Sequence, residues 1–144
     1  MVKHTLSALG LFALMGLPVC AAEDIAAPNL TTQNKAEAAF SGELIQCAAY
    51  YQISSAAITA MNAPQMQAVG ERLASSAVET LTLAKQYASE TEVAAQLEAT
   101  KAEQVSRMSN ASDLAALMGQ YKDKCKTLVA EPQQRLDYWY MATM

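Results

Sequence analysis

The sequence predicts an all-α protein: an up-and-down antiparallel bundle of about four helices, a short fifth helix at the C-terminus, and one disulfide. Three observations carry this expectation. Alanine is the commonest residue while glycine (5) and proline (4) are sparse, a composition that favours helix. Apolar residues recur at three-and-four spacing, and no segment sustains the alternation of a strand. Two cysteines remain for pairing once an N-terminal leader is removed.

The leader reads "MVKHTLSALGLFALMGLPVCAAED". Lys3 and His4 precede an apolar run from Leu6 to Val19, and small residues follow, which is the layout of a secretory signal peptide over residues 1–22. The run falls short of the ~20 residues of a membrane-spanning helix, so no membrane span is expected. Cys20 offers a minor alternative, a lipoprotein anchored at that residue, although Val19 stands where a lipoprotein box wants a small residue. Cleavage after Ala22 makes the mature protein periplasmic or secreted.

Removal of the leader has chemical consequences. The chain's single histidine, His4, goes with it, leaving no imidazole for a catalytic triad, a haem ligand or a zinc site. Lys3 goes too, so the mature chain is more acidic than the formal −4 of the whole. An acidic exported domain is a poor match for nucleic acid, which needs a basic surface. Lys122, Lys124 and Lys126, interrupted by Asp123, form the one basic cluster, and a solvated helix end accounts for it.

Residues 23–32, "EDIAAPNLTT", lack periodicity and contain Pro28, so they read as a flexible leader to a single domain over 33–144. The first helix is expected from about Thr32 to Met61, loosened at Ser41–Glu43, with Leu44, Cys47, Ala48, Tyr51, Ser55 and Ile58 on one face. Pro64 ends it and suits the first turn of the next. Met66, Val69, Leu73, Ala77, Leu81, Ala84 and Ala88 give that second helix the cleanest stripe. Ser89 with Glu92 fits a capping box that opens a third helix bearing Val93, Leu97, Thr100, Gln104 and Met108. "SNAS", residues 109–112, breaks the chain and caps a fourth helix with Leu114, Leu117, Tyr121, Cys125 and Leu128. Pro132 ends it, and a last short helix turns Leu136 and Trp139 inward.

The cysteines arbitrate the topology. If residues 64–108 were one rod of about 67 Å, Cys47 and Cys125 would lie roughly 20 Å apart along the axis, against a limit near 7 Å for bridged Cα atoms. A turn near Ser89 brings the first and fourth helices together and lets the pair close. A bond closing a loop of about 80 residues contributes on the order of 4 kcal/mol by chain entropy. Tyr50, Tyr51 and Tyr121, one turn from the cysteines, are expected to cover the sulfurs. A redox pair is disfavoured, because reactive cysteines sit close in sequence and near a helix N-terminus. A bond between two chains is the other alternative.

No motif points to catalysis or to a cofactor. Glu71, Glu79, Glu90, Glu92, Glu98 and Glu103 are scattered over polar faces, and no acid–base couple or phosphate loop stands out. Asn29 in "NLT" and Asn110 in "NAS" match the glycosylation sequon, which matters only in a eukaryotic host. Met61, Met66, Met108, Met118, Met141 and Met144 supply soft donors, but no metal site is assigned, since methionine also fills helical cores. "DYWYM", residues 137–141, is the densest aromatic run; Tyr138, Trp139 and Tyr140 either dock a partner or cap the bundle near the disulfide. The sequence therefore reads as a small exported non-catalytic protein that binds an unidentified protein, as inhibitor, adaptor or assembly component. The alternative is a periplasmic carrier of copper or of a small apolar ligand.

Overall fold

The computed structural model describes residues 26–144. The signal-peptide reading, Cys20 and the first residues of the leader lie outside them. The described residues fold as α1 (Ala26–Ala60), a 3-10 turn (Pro64–Met66), α2 (Gln67–Ala84), α3 (Glu90–Ser106), α4 (Ala111–Ala130) and α5 (Pro132–Ala142), with no strand among them. The all-α bundle expected from periodicity is what forms. Two details differ. The first helix starts at Ala26, taking in much of the stretch read as leader, and it runs unbroken through Ser41–Glu43.

α1 is the axis of the bundle. Its 35 residues span about 52 Å at 1.5 Å per residue, and from Phe40 to Ser54 it is buried on almost every side. Phe40, Leu44, Ile45, Cys47, Ala48, Ala49, Tyr50, Tyr51 and Ile53 all belong to the core. A helix covered on one face shows a stripe, whereas a helix covered all round does not. The single stripe expected for α1 was therefore too narrow.

The other helices lie around it. Ser55 Oγ donates to the Gly70 carbonyl at 2.8 Å just beyond the first turn, and Phe40 meets the Tyr87 ring edge-on, centroids 5.1 Å apart, past the other end of α2. α2 thus runs antiparallel to α1. Its buried positions Gly70, Ala77, Thr80 and Ala84 are small, which lets the backbones approach. A Cβ at Gly70 would sit 3.1 Å from Thr59 Oγ1. The turn into α2 depends on Asn62, whose φ of 48° is left-handed, a conformation that asparagine tolerates better than most residues.

The chain does reverse at Ser89. Its hydroxyl accepts from the Glu92 amide and the Glu92 carboxylate accepts from the Ser89 amide, a complete capping box. α3 buries Val93, Leu97 and Gln104, and Gln104 Nε2 donates to the Gln46 carbonyl at 3.0 Å. Asn110 and Asp113 build a second capping box at the start of α4.

α4 and α5 then return along α1. Tyr121 stacks on Tyr50 with centroids 5.7 Å apart, and Cys125 joins Cys47 across a Cα–Cα distance of 5.5 Å and a sequence separation of 78. Arg135 next reaches Glu43, and Tyr140 reaches Glu37. As numbers rise along α4 and α5 they fall along α1. Both cysteines are fully buried, and Tyr50, Tyr51 and Tyr121 are buried beside them, so the tyrosine cover expected from spacing is present.

Candidate binding site at the elbow of α4 and α5

Pro132 makes the elbow. It has no amide hydrogen, so the Leu128 carbonyl lacks the donor that would continue α4. Glu131 sits at the joint with φ −130° and ψ 58°, closing α4 through its amide to the Thr127 carbonyl and preceding α5. Pro132 at the first position of α5 suits a helix start. Helix direction changes here, and Arg135 and Trp139, one turn apart, face α1 together.

Both engage one carboxylate. Glu43 is only 8% exposed. Arg135 Nε donates to its Oε2 and the terminal guanidinium nitrogen to its Oε1, each at 2.6 Å. Trp139 Nε1 donates to Oε2 at 3.1 Å, and Lys124 Nζ stands 3.4 Å from Oε1. Burial by itself pushes the Glu43 carboxyl up; the Arg135 and Trp139 hydrogen bonds and the Lys124 and Arg135 charges outweigh it, holding the group below its ordinary value. The cluster is a saturated counter-ion, with both oxygens and the nearby cations engaged.

The Arg135 guanidinium is held on its other side by aromatics. It lies 4.3 Å from the Tyr138 ring centroid and 5.4 Å from that of Trp139. Tyr138 itself is 46% exposed. Beside it, a groove of about 720 Å³ opens between α4 and α5, lined by Asp123, Lys124, Thr127, Leu128, Glu131, Gln134, Arg135 and Tyr138.

The three aromatics singled out in the tail therefore part company. Tyr138 lies on the outer wall of the groove. Trp139 turns to Glu43, and Tyr140 turns to Glu37, to which its hydroxyl donates at 3.4 Å. Burial, then the Glu37 carboxylate, raises the Tyr140 hydroxyl above its ordinary value. Met141 and Met144 are exposed, as is Met61, while Met108 and Met118 pack against the core.

Sequence reasoning passed over Glu43 and Arg135. One signal was present: Glu43 falls three residues after Phe40 and four before Cys47, on a face otherwise apolar. A carboxylate there requires a partner. Nothing local in the sequence identified that partner as Arg135. No protein-family model matches the chain, and no curated protein or solved structure does so either.

Proposed function

We propose that this chain is an exported, non-catalytic protein that acts by binding another protein, as inhibitor, adaptor or assembly component, with Tyr138 at the contact. The observation that carries this reading is the preorganisation of Tyr138. A large aromatic side chain, half exposed, rests on Arg135, which Glu43 in turn fixes to the central helix. Rigid aromatics bordering a groove lose little entropy on docking and are common interface anchors. Glu43, buried with both carboxylate oxygens engaged, is committed to counter-ion duty rather than to proton transfer. A buried disulfide supports an oxidising compartment, as export requires.

The test is photocrosslinking in the producing cell. A benzophenone side chain is placed at Tyr138 and, as a control, at Gln96 on the exposed face of α3. A discrete heterologous adduct from position 138 and none from 96 is the expected result. Absence of any adduct at 138, or equal adducts at both positions, overturns the reading. Intact mass of the recovered protein, before and after reduction, reports cleavage after Ala22 and the state of Cys47 and Cys125.

A further inference from the structure

The helices are tied to α1 by different chemistry. The polar side-chain bonds that reach α1 from α2 and α3 are neutral: Ser55 Oγ donates to the Gly70 carbonyl, and Gln104 donates to the Gln46 carbonyl. α4 is secured by the Cys47–Cys125 bond, by Tyr121 stacked on Tyr50, and by the buried Leu117 and Leu128. α5 differs. Of its eleven residues only Leu136 is buried, with Trp139 and Tyr140 partly buried against the core. Its inward side chains end on carboxylates of α1, Arg135 and Trp139 on Glu43 and Tyr140 on Glu37. A free helix of this length is marginal in water, so α5 depends on its docking.

Glu43 carries the charge balance of that docking. A terminal guanidinium nitrogen of Arg135 and Lys124 Nζ stand 2.6 and 3.4 Å from the same Oε1, one cation from α5 and one from α4. Among the described residues these are the charged groups that act on Glu43, joined by the Trp139 indole, and α2 and α3 contribute none. A proton on the carboxylate leaves two neighbouring cations without a counter-ion. It also leaves Arg135 and Trp139 with a weakened acceptor, since hydrogen bonds to an ionised group are the stronger kind. Glu43 is held below its ordinary value, so the docked state is favoured above the ordinary carboxylate range and loses that support as pH falls through the depressed folded value.

We propose that Glu43 is an acid-operated latch for the C-terminal helix: its protonation undocks α5 from α1 while α1 to α4 stay assembled around the disulfide. The opening is local because the bonds that hold α2, α3 and α4 on α1 are neutral, covalent or apolar, and acid leaves them in place. The Pro132 elbow, where helix hydrogen bonding is already interrupted, lets α5 part from α4 at small cost. The latch stands apart from the protein-binding reading, since it belongs to the fold whether or not Tyr138 meets a partner.

The full exported chain, isotopically labelled and with its disulfide intact, is titrated by NMR from about pH 7 to about pH 2. Backbone shifts of α5 are read against those of α3, and the Glu43 carboxyl carbon reports its own protonation. The helical shifts of α5 are expected to collapse as Glu43 titrates, while those of α3 persist. At neutral pH, Glu43→Gln sets an amide nitrogen against the donors of Arg135 and Lys124, and should raise amide exchange in α5 at least tenfold with α3 unchanged. Glu37→Gln, which keeps an acceptor for Tyr140, should not. Glu43→Leu/Arg135→Met, which lacks the charge pair, should keep α5 helical in acid until α3 is lost. Loss of α5 and α3 at one midpoint, or an α5 that stays helical after Glu43 has titrated, overturns the latch. So does an equal rise in exchange from Glu37→Gln, or a double variant that sheds α5 as readily as the unsubstituted chain. If Glu43→Gln does not fold, the titration of the unsubstituted chain still decides.

Discussion

Arg135 of α5 grips Glu43 of α1 with two hydrogen bonds of 2.6 Å, across 92 residues of sequence. This pair ties the C-terminal helix to the central one, beside the buried Leu136. Breaking one side strands a buried charge, which typically costs 3–5 kcal/mol when the pair is fully buried. Arg135 is about one-third exposed, so water recovers part of that. Arg135→Ala is expected to lower unfolding free energy by about 2 kcal/mol in urea titrations. Glu43→Leu combined with Arg135→Met should cost far less than the sum of the single changes. A cost equal to that sum would show that the two residues act independently.

The same carboxylate makes stability depend on acid. The folded-state value of Glu43 lies below its unfolded one, so its contribution is fully present above the ordinary carboxylate range. It is lost as pH falls through the depressed folded value. Trp139, hydrogen-bonded to Glu43, should report this as a change in fluorescence on acidification. Glu43→Gln should flatten that change; an unaltered acid transition would assign it elsewhere.

What could be read ahead of the structure followed the range of the interactions. The Ser89–Glu92 capping box lies within four residues, and its hydrogen bonds form as the spacing predicts. The turn there was also demanded by Cys47 and Cys125, because chain geometry turns one long-range constraint into topology. α1 was harder. Neighbours on all sides erase the periodicity from which burial is inferred, so Ser41 and Glu43 looked like a weak point although they are among its buried residues. The partner of Glu43 was not legible, since many arginines and lysines satisfy a carboxylate equally well in one dimension. Tyr138, Trp139 and Tyr140 looked equivalent for the same reason: only α5's docking on α1 separates the outer ring from the inner two.

The disulfide should dominate resistance to denaturant. Cys47→Ala/Cys125→Ala removes a crosslink over 78 residues, for which the chain-entropy estimate is on the order of 4 kcal/mol. Both sulfurs are buried, so thiol reagents should reach them only after reduction and unfolding. A midpoint that hardly moves in the double variant would show that the alanine-rich core suffices alone.

Asn62 offers a local test of the first turn. Its left-handed φ of 48° suits asparagine or glycine and strains a β-branched side chain. Asn62→Val should destabilise by about 1–2 kcal/mol, whereas Asn62→Gly should be close to neutral. Thermal unfolding of the pair checks it, and equal loss in both variants would point to the asparagine side chain rather than the backbone.

Gln104 asks whether a buried amide on the α1–α3 contact stabilises at all. Its Nε2 donates to the Gln46 carbonyl, while its Oε1 is buried with no hydrogen-bond partner among the described residues. The first interaction contributes about 1 kcal/mol net, and the second costs a comparable amount in lost hydration. The Gln46 carbonyl, already inside a helix, has a backbone donor to fall back on. Gln104→Met keeps the length and removes both polar atoms, so stability should change by less than about 1 kcal/mol in either direction. Gln104→Glu puts a charge in the same place and should destabilise by several-fold more, increasingly so as pH rises and the carboxyl ionises. If the methionine variant instead loses as much as the glutamate one, the bond to Gln46 is what holds α3 on the central helix.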